Sequence, residues 1–238
     1  VQRHLALTAA LLLVVAGAGC SSSVKESGGA RGAATITTDG VAWHAIERGP
    51  KTARHTVLFL HGAAYTSRIW DQRGILDAVA KHGERAVAVD LPGSGDTPTR
   101  PTNDTRNTSS VSEGTLLRGL IEKLGGPERV VVVSPSASGR YSLGYLAQYP
   151  SDRLAGFVAV APVGISDFHR PADAAKVPAL LVWGAKDTSI PFTNAAVLQR
   201  QLPGSRIEQI PGAGHAAYDD APKAFDALLL PFLASLSG

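Results

Sequence analysis

The sequence predicts an α/β domain with a mostly parallel eight-stranded sheet covered by helices on both faces. Three observations carry that expectation. Short runs such as TVLFL (56–60), VVVV (130–133) and ALLVW (179–183) are apolar throughout, as strands buried on both faces must be. Segments with helical spacing alternate with them, which requires parallel crossovers. A single antiparallel hairpin is signalled at the front, where Asp39-Gly40 separates 35–38 from 41–47.

Taken in order, the folded domain is expected over residues 34–238. After the hairpin, the strand 56–60 runs into His61-Gly62-Ala63-Ala64. The apolar spacing predicts one helix over 70–81, closed by Gly83, followed by a strand at 85–89 and a turn-rich stretch from Asp90 to Gly95. Residues 97–112 are polar and read as a loop, and 113–124 as a helix stopped by Gly125-Gly126. The valine strand leads through Ser134-Pro135-Ser136-Ala137-Ser138-Gly139 into a helix that Pro150 ends. Strands at 157–160, 179–183 and 206–210, a short helix at 197–201 and a last helix over 221–233 complete the pattern. Only residues 162–178 separate the strands at 157–160 and 179–183, too few for a cap domain, so an open and shallow mouth is expected.

Composition narrows the function classes. An apolar fraction of 44% supports a substantial core, and 238 residues suit one domain with a short extra segment. The net charge of +3 comes with no run of Lys or Arg, which gives nucleic-acid binding no support. One cysteine excludes an internal disulfide. No His/Asp group has the sequence spacing of a metal site, so no metal is expected.

Residues 1–19 read as a signal peptide. Arg3 supplies the positive start, and the apolar run from Leu5 to Ala18 is too short to span a bilayer comfortably. Small residues then lead into Cys20 and three serines, which looks like a lipobox with Cys20 lipidated and 20–33 a flexible linker; Gly17 stands where a lipobox usually has leucine. Cleavage after Ala18 with Cys20 incidental is the alternative. Either way the chain reads as exported, and in the first case as held on the outer face of a bacterial membrane.

The chemistry concentrates where strands end. A strand, a tight turn with a central serine and a helix make a nucleophile elbow, which pushes Ser136 out at the carboxyl end of the sheet. The residues two before and two after must be small; here they are Ser134 and Ser138, where glycine is usual. Asp187 follows the strand 179–183, and His215 follows 206–210 in Gly-Ala-Gly-His. Asp167 is a rival acid, whereas Asp90 comes early and in a turn. His215 is the candidate base, since a free serine hydroxyl is a poor nucleophile at neutral pH, and Asp187 the group that orients it. The N–H groups of Ala63 and Ala137 are candidates for an oxyanion hole, with Gly62 allowing close approach. His61 reads as a hydrogen-bonding structural residue. His44, His55, His82 and His169 read as surface or packing residues, and Trp43, Trp70 and Trp183 as core.

With Ser136, Asp187 and His215 in that order, the whole domain resembles the α/β-hydrolase superfamily. More narrowly it is similar to the lidless α/β-hydrolase-domain fourteen group, on VLFLHG (57–62), RAVAVDLPGSG (85–95), VVVSPSASGRYSL (131–143), GFVAVAP (156–162), PALLVWGAKD (178–187) and GAGH (212–215). The Ser-Pro-Ser-x-Ser-Gly elbow is the specific part. Residues 1–33 lie outside the resemblance. It implies the same three residues as a triad and short acyl esters as substrates. A member of the group is associated with moving acetyl from lysine to coenzyme A; an exported chain would not meet that cytoplasmic thiol, so no cofactor is expected.

Three functions therefore compete. The first is a serine hydrolase acting on a small acyl ester through an acyl-serine intermediate. The second is an amide or acyl-lysine deacylase with the same residues. The third is a non-catalytic binding module on an inherited fold, which predicts damage to the triad that the sequence does not contain.

Overall fold

A computed structural model describes residues 32–99 and 112–236. The expected signal peptide, Cys20, the linker and most of the polar loop at 97–112 lie outside the described residues. Eight strands form one sheet: β1 (Gly32–Thr38), β2 (Val41–Arg48), β3 (Thr56–Phe59), β4 (Arg85–Val89), β5 (Val130–Pro135), β6 (Gly156–Val160), β7 (Ala179–Gly184) and β8 (Arg206–Ile210). Their spatial order is β1-β2-β4-β3-β5-β6-β7-β8. β1 and β2 form the antiparallel hairpin, β2 also pairs antiparallel with β4, and every other pairing is parallel. Asp39 and Gly40 both have positive φ, 49° and 75°, as a turn that matches the twist of the two strands requires.

The helices are α1 (Arg68–Gln72), α2 (Ile75–His82), α3 (Glu113–Lys123), α4 (Gly139–Gln148), α5 (Thr193–Gln201), α6 (Ala217–Asp220) and α7 (Pro222–Ser235). Successive strand residues face opposite sides, so the valine strand feeds two cores. Val130 and Val132 join Leu58, Val87, Leu117, Leu120 and Leu146 on one face. Val131 and Val133 join Phe59, Trp70, Val79, Tyr218 and Phe225 on the other. Trp43, Trp70 and Trp183 are fully buried.

Three helices differ from those the sequence predicts. The helix expected over 70–81 is two helices, because Gly74 adopts φ 73° between α1 and α2. The short helix at 197–201 begins four residues earlier, at Thr193. The last helix is preceded by a separate turn, α6, directly after the His215 loop. β1 also starts at Gly32, two residues ahead of the expected domain start, where its backbone pairs with Glu47. Residues 161–178 join β6 to β7 without a helix or strand, so no cap sits at that crossover. Among the described residues, no helix is long and apolar enough to cross a membrane.

Candidate active site

The site lies where β3, β5, β7 and β8 end, at the carboxyl edge of the parallel strands, the usual place for a site in such sheets. Ser136 follows β5 directly and has φ 49°, a left-handed conformation that is costly for a residue with a Cβ. Its neighbours hold it there. The Ser136 carbonyl accepts from Val163 N–H at 2.9 Å, and a Cβ on Gly139 would collide with the Val163 carbonyl. The loop after β6 thus packs onto the start of α4, and only glycine fits between them.

Ser134 and Ser138 are fully buried, so their hydroxyls need partners. They find them in each other: Ser134 Oγ lies 3.0 Å from Ser138 Oγ and 2.7 Å from Ser142 Oγ, and Ser138 Oγ donates to the Pro135 carbonyl at 2.7 Å. Three serines close a small network around the turn, which is how this elbow tolerates hydroxyls where glycines are usual. Ser142, one helical turn past Ser138, completes it.

Ser136 Oγ stands 2.8 Å from His215 Nε2, and His215 Nδ1 stands 2.8 Å from Asp187 Oδ2. The Asp187 side chain is 1% exposed; its Oδ1 accepts from the N–H groups of Ser189 (2.8 Å) and Ile190 (3.0 Å). The carboxylate is therefore fixed, and the Nδ1–H tautomer it favours leaves the Nε2 lone pair facing the serine. The acid and histidine loops are locked together by Lys186 N–H donating to the Ala213 carbonyl at 2.8 Å. Gly184 has no Cβ to block the Ala213-Gly214 backbone. Asp220 Oδ2 accepts from Gly214 N–H at 2.7 Å, one residue before the histidine. Asp167 is exposed, and it is Asp187 that bonds His215.

The His61-Gly62-Ala63 turn follows β3. An added Cβ on Gly62 would lie 3.5 Å from Ser136 Cβ, so the turn abuts the elbow. Ala63, next in the turn, and Ala137, next in the elbow, are thus carried to the same end of the sheet. His61 is buried, with Nδ1 2.9 Å from the Gly62 carbonyl and Nε2 accepting from Leu91 N–H at 2.9 Å. Both contacts require the neutral ring with its proton on Nδ1. Burial pushes its pKa down, against weaker upward pulls from the Gly62 carbonyl and Asp90. His61 thus fixes the turn and is no base.

A family profile described as the α/β hydrolase family matches residues 57–175. The rat protein ABHD14A is 39% identical over 184 residues, covering 77% of this chain and 73% of its own length. The chain belongs to the α/β-hydrolase family. Within it, the chain falls in the ABHD14 group. Human ABHD14B, whose name proposes a protein-lysine deacylase, is 38% identical over 192 residues, covering 79% of this chain and 87% of its own. A CIB-like hydrolase from Thermoplasma acidophilum superposes with a TM-score of 0.72 at 25% identity, over 87% of this chain and all of that one. A carboxylesterase from Bacillus subtilis, CesB, shares the fold with a TM-score of 0.68 at 17% identity, over 86% of this chain and 92% of that one.

A second polar cluster among the described residues is internally paired. His44, Asp90 and Asp96 converge with ligand-like spacing, although His44 and Asp90 are 46 residues apart in sequence and no spacing rule links them. Asp90 is fully buried, and its oxygens already accept from Ser67 N–H (2.7 Å), Asp96 N–H (2.9 Å) and His44 Nδ1 (3.0 Å). Burial would raise its pKa, but those donors hold it below the usual carboxylate range. Asp96 faces Arg68 at 3.0 Å. These atoms are committed to one another and tie the β2 hairpin to the loop after β4. His55 is buried beside Glu84, while His82 and His169 are exposed.

Proposed function

We propose that this α/β hydrolase is a serine hydrolase that cleaves small acyl esters, with Ser136 as nucleophile, His215 as general base and acid, and Asp187 as the orienting carboxylate. The observation that carries the reading is the unbroken hydrogen-bonded chain from Ser136 Oγ through His215 to the buried Asp187 side chain. His215 Nε2 takes the Ser136 hydroxyl proton as Oγ bonds to the ester carbonyl carbon. The carbonyl oxygen becomes an oxyanion, stabilised by the N–H groups of Ala63 and Ala137. Collapse breaks the ester C–O bond, and the leaving alcohol takes the proton from His215. Water then attacks the acyl-serine with the same base, releasing the carboxylic acid and restoring Ser136. No step needs a cofactor or metal.

A second reading keeps the residues and changes the bond: an acyl-lysine deacylase, favoured by the name of the human relative. The third, a non-catalytic binding module, is disfavoured by the intact geometry. A panel of acyl esters and acyl-lysine peptides, assayed on purified protein beside Ser136→Ala, separates the three. Ester turnover lost in the variant supports the first, turnover of peptides alone the second, and none by either protein the third.

We also propose that the chain is exported and that Cys20 carries a lipid anchor, the support being the apolar run before it and the serine-rich segment after it. An enzyme held outside the cytoplasm would pass its acyl group to water. Growth with a labelled fatty acid tests this: label on the wild type and none on Cys20→Ser supports the anchor, and an unlabelled wild-type protein contradicts it.

A further inference from the structure

The oxyanion turn and the histidine loop come from distant parts of the sheet. Ala63 follows β3 and His215 follows β8, and β5, β6 and β7 lie between those two strands. Two separate loops carry them to the same site. The amide of Ala63 must nevertheless sit about 2.7–3.1 Å from a developing oxyanion to be useful. Two connections span them: the Tyr218 ring, three residues past His215, packs edge-on against Tyr65 at 5.8 Å with its hydroxyl at the Gly62 backbone, and a side-chain hydrogen bond joins the same two segments. Tyr65, two residues past Ala63, donates its hydroxyl to Asp219 Oδ2 at 2.9 Å. Asp219 lies four residues past His215, and its other oxygen accepts from Arg73 Nε at the end of α1. Tyr65 is also tied inward, through its N–H to the Gly62 carbonyl at 3.0 Å, the same oxygen that His61 holds.

We infer that Tyr65, Asp219 and Arg73 form a positioning clamp that fixes the Ala63 amide relative to His215, so that oxyanion hole and base stay in register. This rests on the proposed serine-hydrolase site. None of the three acts on substrate; they act through the backbone of the two loops. An exposed ion pair alone would matter little, and Arg73 is 44% exposed. The Tyr65–Asp219 bond differs, since Asp219 is 17% exposed and the two residues are 154 apart in sequence. Burial, then the bond to Asp219, pushes the Tyr65 phenol up to about 12, so it stays a donor at neutral pH. The effect should appear in turnover, because a displacement of about 1 Å at a reacting centre can cost about 10²-fold.

The test is kcat and KM for an acetyl ester in wild type, Tyr65→Phe, Asp219→Ala, Asp219→Asn and the Tyr65→Phe/Asp219→Ala double variant, with melting temperatures and pH profiles. The clamp predicts a loss of about tenfold in kcat for Tyr65→Phe and for Asp219→Ala, with KM within about twofold and the pH profile unchanged in shape. The double variant should lose no more than the worse single one, because both remove one bond. Asp219→Asn should recover most of the loss, since its amide oxygen still accepts from Tyr65. Wild-type kcat in Tyr65→Phe, losses that multiply, or a rise confined to KM would each overturn the clamp. Tyr65→Phe deletes one hydroxyl and remains informative if Asp219→Ala fails to fold. Should Ser136→Ala keep its turnover, the site reading itself fails; should it be inactive while Tyr65→Phe is normal, only the clamp fails.

Discussion

Asp187 shows how one side chain gains its place from backbone donors. Its Oδ1 is saturated by two N–H groups, leaving Oδ2 to face His215. Asp187→Asn preserves the volume but can present an N–H to the imidazole and favour the wrong tautomer. Turnover should fall by about 10³–10⁴-fold with the circular-dichroism spectrum unchanged. Asp167→Asn, at an exposed position, should stay within about twofold, and a reversal of the two would reassign the acid. Asp226 is a different case. It is half-buried on α7, one of its oxygens has no partner, and burial raises its pKa to about 6. The native state therefore holds this proton more tightly than the unfolded chain. The stability it contributes is present below the unfolded value near pH 4 and is lost as pH rises through about 6. Asp226→Asn should raise the melting temperature by about 1–3 °C at pH 8 and leave it unchanged at pH 4. His61, with its pKa lowered by burial, has the opposite sign: its contribution is lost as pH falls through the imidazole range.

At the level of elements, the elbow depends on packing as much as on its serine. Gly139 lets α4 start against Pro162 and Val163, so Gly139→Ala should cost about 1–3 kcal/mol of stability in chemical denaturation, through overpacking against backbone. Most elements were legible because period and breakers agreed. The buried strands read as unbroken apolar runs, Asp39-Gly40 announced the hairpin, and Pro150 ended α4. The break between α1 and α2 was not legible: a glycine at position 74 is tolerated within a helical pattern, and only its φ of 73° shows that the chain turns there. Ser136, Asp187 and His215 could be picked out because each follows a strand end. Tyr65, Asp219 and Ser142 could not, since their partners are set by the folded surface and no sequence rule links Tyr65 with Asp219.

For the molecule as a whole, the sheet gathers one edge of loops, and what crosses that edge decides access. Residues 161–178 place no helix or strand between β6 and β7, so we expect an open mouth. Catalytic efficiency should peak at acetyl to butyryl esters, with no activation by lipid droplets. A deep tunnel would instead favour long chains by about 0.8 kcal/mol per buried CH₂, and a preference for acyl groups of about ten carbons or more would contradict the open mouth. The central claim is that Ser136 is the nucleophile, and labelling with a fluorophosphonate tests it most directly. Ser134 and Ser138 are buried in their own hydrogen-bond network, while Ser136 faces His215. Wild type, Ser134→Ala and Ser138→Ala should all be labelled, with the adduct mapped to Ser136, and Ser136→Ala should not. Undiminished labelling of Ser136→Ala, or an adduct on another residue of the wild type, would contradict the account.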